Sequence, residues 1–418
     1  MNSHTNQTRP TRSVSRRAFL GGAAMATTPA LLPRMTLARP GLIADTLVSV
    51  YLRGAMDGLT LCVPYGDTDL YTARPTLAIQ PPGQPDGAID LDGFFGLAPA
   101  AAPLLGPYQS GDLLFVHASG SPDPSRSHFD AQRFMETATP LQPTSSVTTG
   151  WIGRYLQGAP SIGNGAFRAM GVGARLPKTL NGGPGTLPIA DPANFNFPGN
   201  LATAALRRTA IEQMYDRTRD PLASAADNTL ASIDLLAGVD FAGYIPDNGA
   251  TYPATPFGDQ LKNTAAVIKS GIGLETIHLD LNGWDHHSAM GPVNGVLAGL
   301  LDELSRALEA FHLDMQLYWG RMVLVCMTEF GRRIRENGSA GTDHGHGGCM
   351  MVMGGHIAGG QVYTNPWPGL DTSTGSGDLE VTTDYRDILA EILDERMGAT
   401  HLSEIFPNYV PVYRGIVN

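Results

Sequence analysis

Cysteine and charge are both scarce in this chain of 418 residues, which has 3 Cys and 16% charged residues. Three cysteines allow at most one disulfide, so a small disulfide-stapled scaffold is excluded. Cys62 and Cys326 lie in apolar runs, which predicts buried free thiols. Runs of Lys or Arg are also missing beyond the N-terminus, and the net charge is -11. A basic nucleic-acid-binding face is therefore not expected, and we predict no nucleic-acid partner.

Long apolar runs are missing as well, except for a weakly apolar stretch near the N-terminus. Residues 12–20, "RSVSRRAFL", and the small apolar residues that follow them resemble a twin-arginine export signal. We predict that residues 1–40 are a signal peptide and disordered leader. The twin-arginine translocation machinery is then a partner, and the mature protein is periplasmic or extracellular. Because no later run reaches the ~20 apolar residues that cross a bilayer, no stable membrane span is expected.

Short β-rich runs alternate with helical patterns along the rest of the chain. The runs at 45–58, 111–132, 274–287 and 321–333 each end in a polar loop, and helical periodicity covers 200–218, 221–239, 257–272 and 295–316. This alternation predicts a doubly wound α/β sheet, and residues 41–418 are predicted to be a single domain. Residues 158–200 are rich in Gly, Pro and Asn, which favours an irregular excursion over the sheet. Residues 382–393 predict a capped amphipathic helix.

Acidic, hydroxyl and imidazole side chains follow the predicted strands. The loops carry, in order, Asp57, then Ser125, Ser127, His128 and Asp130, then Asp285, His286 and His287, then Glu329, and finally Asp343, His344 and His346. Each group alone is typical of a turn or a helix cap. Ligands of doubly wound sheets bind at the carboxyl ends of the strands, so these loops are expected to converge. Their recurrence predicts one shared site.

Carboxylate and imidazole together form the ligand set that Zn²⁺ and Mn²⁺ accept, so we predict one or two divalent ions, Zn or Mn. Two ions about 4 Å apart can hold the attacking and the leaving oxygen of a displacement. A hydroxyl at a helix N-terminus beside a cation is a plausible nucleophile, because both favour its alkoxide. Arg53, Arg126 and Arg332 flank these residues and are candidate clamps for an anionic substrate.

The ordered motifs "LRGAMDGL", "RSHFDAQ", "GWDHH", "TEFGR" and "GTDHGHGG" resemble the bacterial family catalogued as domain of unknown function 1501. That family is grouped with the alkaline phosphatase and sulfatase superfamily. The resemblance spans about residues 46–395. It implies a three-layer αβα sandwich with a mostly parallel sheet and a site at the carboxyl ends of the strands.

The resemblance also implies roles for individual residues. The implied metal ligands are Asp57, Asp285, His287, Glu329, His344 and His346, with Asp343 as a ligand or as the partner that orients one. His286 is an alternative to His287. The implied catalytic group is Ser127, His128 and Arg126, with Ser127 favoured over Ser125 as the nucleophile. Pro122 stands where a formylglycine-forming sulfatase has its modified Cys or Ser, which disfavours that subclass.

The leading hypothesis is an exported metal-dependent hydrolase that acts on a phosphate or sulfate ester through a serine nucleophile. Its expected substrate is an anionic small-molecule or glycan ester. One alternative is a metallohydrolase that uses metal-bound hydroxide on another ester or amide. Another is a non-catalytic protein that retains the fold to bind a metal, a glycan or a partner.

Overall fold

The strands and helices of the protein are taken from a computed structural model, which describes residues 45–142, 147–161, 165–216, 220–372 and 377–418. The predicted leader, residues 1–40, lies outside this range. The strands are β1 (Thr46–Arg53), β2 (Cys62–Val63), β3 (Ile89–Asp90), β4 (Gly96–Leu97), β5 (Leu113–Gly120), β6 (Ala169–Val172), β7 (Thr186–Ile189), β8 (Thr276–Asn282), β9 (Met322–Met327), β10 (Gly348–Gly354), β11 (Gln361–Tyr363) and β12 (Thr383–Asp384).

The helices confirm the helical patterns of the sequence to within a few residues at each end. They are α1 (Gly58–Leu61), α2 (Asp69–Ala73), α3 (Leu105–Gln109), α4 (His128–Thr137), α5 (Trp151–Gly158), α6 (Ala204–Tyr215), α7 (Leu222–Ala237), α8 (Pro256–Lys269), α9 (Val296–Asp314), α10 (Tyr385–Glu391) and α11 (Leu402–Ile405). Asp384 caps α10 by accepting a hydrogen bond from the Arg386 amide, as the capping pattern predicts. Among the described helices, none is long and apolar enough to cross a membrane.

One large sheet runs in the order β11, β5, β10, β9, β1, β8, β6, β7, and β12 also pairs with β5. Pairing is parallel everywhere except along β10, which is antiparallel to both β5 and β9. The carboxyl ends of β1, β5, β8 and β9 therefore lie at one edge of the sheet. Because β10 runs the other way, its first residue also lies at that edge. This arrangement positions the site.

Helices cover both faces of the sheet, which confirms the three-layer αβα architecture. Along β1, Val48, Val50 and Leu52 pack into one core together with α8 and α9. Leu47 and Tyr51 point to the opposite face, where they join α5 and α10 in a second core. The alternation of side chains along a strand produces this division. A smaller three-stranded sheet, β2-β4-β3, accompanies the large one.

The prediction of an irregular excursion at 158–200 is wrong in part. Residues 169–172 and 186–189 form β6 and β7, which extend the sheet by parallel pairing beyond β8. Both strands have only four residues and are bordered by Gly and Pro, so their pattern is too short to recognise in the sequence. Pro188 is tolerated because β7 lies at the edge of the sheet, where the amide hydrogen that proline lacks is not needed for a bond to a neighbouring strand.

Candidate metal centre

The loops that carry the predicted site residues meet at the carboxyl-end edge of the sheet. His128 begins α4 after β5, Asp285 and His287 follow β8, and His344 precedes β10. The ligand atoms of His128, Asp285 and His344 all lie within 4.8 Å of one another. The Nε2 atom of His287 is 3.0 Å from His344 Nε2 and 3.0 Å from Asp285 Oδ1. We call these four residues the His–Asp cluster.

The three imidazole rings of the His–Asp cluster are oriented in the same way by different partners. The Nδ1 atom of His128 lies 2.7 Å from Glu329 Oε1, and that of His287 lies 3.1 Å from Asp343 Oδ1. The Nδ1 atom of His344 lies 2.7 Å from the Arg126 carbonyl oxygen. Carboxylates and carbonyls only accept hydrogen bonds, so each Nδ1 donates and carries the proton. In this tautomer the lone pair of each ring is on Nε2.

This orientation fits a bound cation. Without a proton between them, the Nε2 lone pairs of His287 and His344 repel each other at 3.0 Å, and the Asp285 carboxylate adds negative charge at the same point. The Nε2 atom of His128 is buried and has no hydrogen-bond partner in the described part of the chain. Metal-ligating histidines characteristically donate their other ring N–H to a carboxylate or a backbone carbonyl. Three imidazoles and one carboxylate suit Zn²⁺ or Mn²⁺.

Glu329, predicted as a ligand, lies behind His128. Its side chain is fully buried and accepts hydrogen bonds from His128, from Gln132 Nε2 at 2.9 Å and from the Gly54 amide at 2.9 Å. Burial alone would raise the pKa of Glu329, but the bonds from His128 and Gln132 outweigh it and lower that pKa. The bond to Glu329 in turn raises the pKa of His128 against the effect of burial. Glu329 therefore holds the His128 ring in position.

Phe330 provides an apolar surface beneath two imidazoles of the His–Asp cluster. Its ring centroid is 5.0 Å from that of His128, which it stacks on, and 5.0 Å from that of His344. Phe330 is buried together with Ala55 and Ala131 in a small cluster separate from the two main cores. Burial lowers the pKa of His344, which favours the neutral form of this ring. An apolar surround also strengthens electrostatic interactions at the site.

Asp285 is held by Arg332. The Arg332 guanidinium is buried, and its Nη2 atom donates to Asp285 Oδ1 at 2.6 Å. Burial opposes ionisation of Asp285, but the contact with Arg332 dominates and lowers its pKa to about 2. The other Arg332 donors bind the Ala55 and Thr342 carbonyl oxygens. Arg332, predicted as a substrate clamp, is thus engaged within the protein.

The other two predicted clamps are also engaged. Arg53 donates to Asp280, Gln132 and Glu136. Arg126 forms an ion pair with Asp378, although its side chain is more than one third exposed. Of the three arginines, Arg126 is thus the most accessible from solvent.

Three further predicted ligands lie outside the His–Asp cluster. Asp57 is buried, accepts a bond from Arg74 Nη1 at 2.8 Å and caps α1. His346 contacts the Ser121 carbonyl oxygen through Nε2 at 2.8 Å. His286 is largely buried, its Nε2 has no partner among the described residues, and burial lowers its pKa. Whether any of them binds a metal stays a prediction.

Ser127, the predicted nucleophile, is the N-cap of α4 and directly precedes His128. Its Oγ accepts a long bond of 3.5 Å from the Asp130 amide, and its own amide donates to Ser125 Oγ. The hydroxyl therefore lies at the positive end of a ten-residue helix whose first residue belongs to the His–Asp cluster.

Sequence reasoning missed Gln132 and Phe330. The spacing of four residues between His128 and Gln132 in "HFDAQ" places them on one face of a helix, so a partner shared by the two side chains was predictable in principle. The role of Phe330 depends on the ring directions of His128 and His344, which no local pattern encodes. His128 was predicted as a catalytic residue. In the structure one of its ring nitrogens lies close to the potential ligand atoms of Asp285 and His344.

The structure defines an αβα protein with a candidate metal centre at the carboxyl ends of its strands. The chain belongs to the family described as "Protein of unknown function (DUF1501)", which matches residues 94–408. This confirms the resemblance of the motifs. No curated protein sequence matches the chain.

Solved structures to which the chain is similar include three enzymes. With the lipoteichoic acid synthase LtaP from Listeria monocytogenes the identity is 9% and the TM-score 0.31, over 74% of this chain and 65% of that one. With the 2-O GAG sulfatase BT1596 the identity is 9% and the TM-score 0.31, over 85% and 70%. With the alkaline phosphatase of the Antarctic bacterium TAB5 the identity is 9% and the TM-score 0.29, over 75% and 92%.

Proposed function

We propose that the protein is a divalent-metal-dependent hydrolase of phosphate or sulfate esters. The observation that carries the proposal is the contact of two Nδ1-protonated imidazoles, His287 and His344, through their Nε2 atoms at 3.0 Å beside a carboxylate. Such an arrangement is favourable with a cation between the donors. We further propose that the protein is exported by the twin-arginine pathway to the periplasm or the extracellular space, in keeping with its N-terminal motif.

The chain's own residues supply binding and positioning. The His–Asp cluster would hold the divalent ion, which would supply polarisation of the ester and neutralisation of the negative charge that develops on it. The first amide N–H groups of a helix lack intrahelical acceptors, so the N-terminus of α4 favours the oxygens of an anionic substrate. Arg126 can add a charged contact if it exchanges Asp378 for the substrate. Ser127, next to His128, is the proposed nucleophile. The motif resemblance favours phosphate and sulfate esters as substrates.

Activity against aryl phosphate and aryl sulfate esters tests this proposal. Purified protein is stripped with a chelator and reloaded with Zn²⁺ or Mn²⁺, and turnover is compared with that of His344→Ala. We expect turnover that depends on metal and falls at least about 1,000-fold in His344→Ala. His356→Ala, which alters an exposed turn, serves as the matched control and should keep full activity. Metal binding without turnover of any ester would instead support a non-catalytic binding protein.

Ser127→Asn tests the nucleophile separately. Asn caps helices as well as Ser does, so this variant removes the hydroxyl while preserving α4. A covalent mechanism predicts a loss of about 1,000-fold or more in kcat. Retention of activity would exclude Ser127 as the nucleophile, and Ser125→Asn would then separate attack by the neighbouring hydroxyl from direct attack by water.

A further inference from the structure

A second group of potential ligands is buried beside the small sheet. It consists of Cys62 at the start of β2, His117 in β5 and Cys349 in β10, whose ligand atoms lie within 4.8 Å of one another. Their side chains are 0%, 0% and 3% exposed. Two of the 3 cysteines thus meet one histidine although they are far apart in sequence. This group shares no residue with the His–Asp cluster.

The ring of His117 is held in one tautomer. Its Nδ1 accepts the Ala118 amide at 2.8 Å, so the proton is on Nε2, which donates to the Cys62 carbonyl oxygen at 3.0 Å. The ring stacks on Phe95 and meets Trp367 edge to face, with centroids 5.5 and 4.9 Å away. Imidazoles that bind a metal are usually oriented by a hydrogen bond from their other ring nitrogen to a carbonyl or carboxylate oxygen. In this tautomer Nδ1 carries the lone pair of the ring, which an ion would engage in place of the Ala118 amide.

The backbone is distorted at the same point. Ala118 has a φ of 51°, which is costly for a residue other than Gly, and it is the extra residue of a bulge opposite Gly348 and Cys349. Strained backbone of this kind persists only where the surrounding structure holds it in place, and it is concentrated at functional sites. Gly58 in α1 has no room for a Cβ, which would lie 2.8 Å from the Cys349 nitrogen. The close approach of α1 to β10 brings Cys62 to Cys349.

We propose that Cys62, His117 and Cys349 bind a thiophilic metal ion, Zn²⁺ or Cu⁺. Thiolates select these ions over the harder cations that carboxylates prefer. Two thiolates and a neutral imidazole balance the charge of Zn²⁺ fully, which matters in a buried site, whereas Cu⁺ would leave one negative charge. Three strong donors, on the other hand, are a common number for copper. Burial raises the pKa of the Cys62 thiol and lowers that of His117 to about 4.

Cobalt substitution in the His128→Ala variant tests the proposal without altering the cysteines. Reduced protein is loaded with Co²⁺, and thiolate-to-cobalt charge-transfer absorption is recorded. Zn²⁺ and Cu⁺ then compete for the site, and metal content is measured after desalting. We expect the charge-transfer band, its displacement by the preferred ion, and one tightly held metal equivalent in His128→Ala.

Cysteine variants assign the band to its ligands. Cys62→Ser and Cys349→Ser should each abolish it, and Cys326→Ser, which alters a buried cysteine in β9, should leave it unchanged. Absence of a thiolate band in folded His128→Ala protein would overturn the proposal. A Cys62–Cys349 disulfide found by peptide mapping of the native protein would also overturn it. Because the readout is a thiolate signal, loss of the proposed hydrolase activity does not affect it.

Discussion

Asp57 and Glu329 are buried carboxylates whose surroundings assign them different tasks. Asp57 neutralises Arg74, while Glu329 accepts the proton-bearing nitrogen of His128. The family resemblance implied a ligand role for both. The role of each carboxylate depends on which side chain forms a hydrogen bond with it. For Asp57 that side chain is Arg74, which lies in a different segment of the chain. Motif spacing carries no information about such a contact.

Asp57→Asn is expected to lower the stability of the fold without removing metal. It leaves the buried Arg74 charge uncompensated, which costs about 3 kcal/mol or more. Urea unfolding measures this loss, and Asp227→Asn, at an exposed position in α7, should show almost none. Loss of a metal equivalent in folded Asp57→Asn protein would show that Asp57 is a ligand after all.

Glu329→Gln is expected to weaken metal binding without removing a ligand. The amide is a poorer acceptor for the His128 N–H and can present its NH₂ group instead, so the ring loses its fixed orientation. Loss of such a partner lowers metal affinity about 10–100-fold. Competition with a chromogenic chelator measures the affinity, with Glu404→Gln at an exposed position as the control. An unchanged affinity would contradict the positioning role of Glu329.

Secondary structure elements were more predictable than the contacts between them. The strands before the polar loops and the long helices have periodic patterns that correspond to their burial, and their positions are confirmed. β6 and β7 were missed because parallel pairing supplies their hydrogen bonds whatever their side chains are. The reversed direction of β10 was also not predictable, yet it brings His344 to the site from the amino end of a strand.

The turn after β10 contains an exposed residue, His356, with a φ of 61°. A left-handed backbone costs a non-glycine residue about 1–2 kcal/mol. His356→Gly should therefore raise the free energy of unfolding by about 1 kcal/mol, measured by urea titration. His356→Ala retains the Cβ and should show no such gain. If both variants were equally stable, the left-handed conformation would not be the source of the effect.

At the scale of the whole molecule, the direction of the strands made the position of the site predictable. The role of each side chain in the site was not predictable in this way. Four loops from distant parts of the chain meet because parallel strands end at one edge. Convergence could therefore be inferred from strand ends alone. The choice among the imidazoles depends on which ring nitrogen carries the proton, and this is decided by Glu329, Asp343 and the Arg126 carbonyl oxygen.

Metal binding should stabilise the whole fold, because the His–Asp cluster joins loops that follow β5 and β8 to the loop that precedes β10. A ligand that binds only the folded state adds about 2.7 kcal/mol at a free concentration of about 100 times its Kd. Mn²⁺ is the suitable probe, since it favours carboxylate and imidazole over thiolate. We expect Mn²⁺ to raise the Tm of chelator-treated protein and to have no effect on a His128→Ala, His344→Ala double variant. An equal rise in Tm in that variant would mean that Mn²⁺ binds elsewhere in the protein and that the His–Asp cluster is not the metal centre.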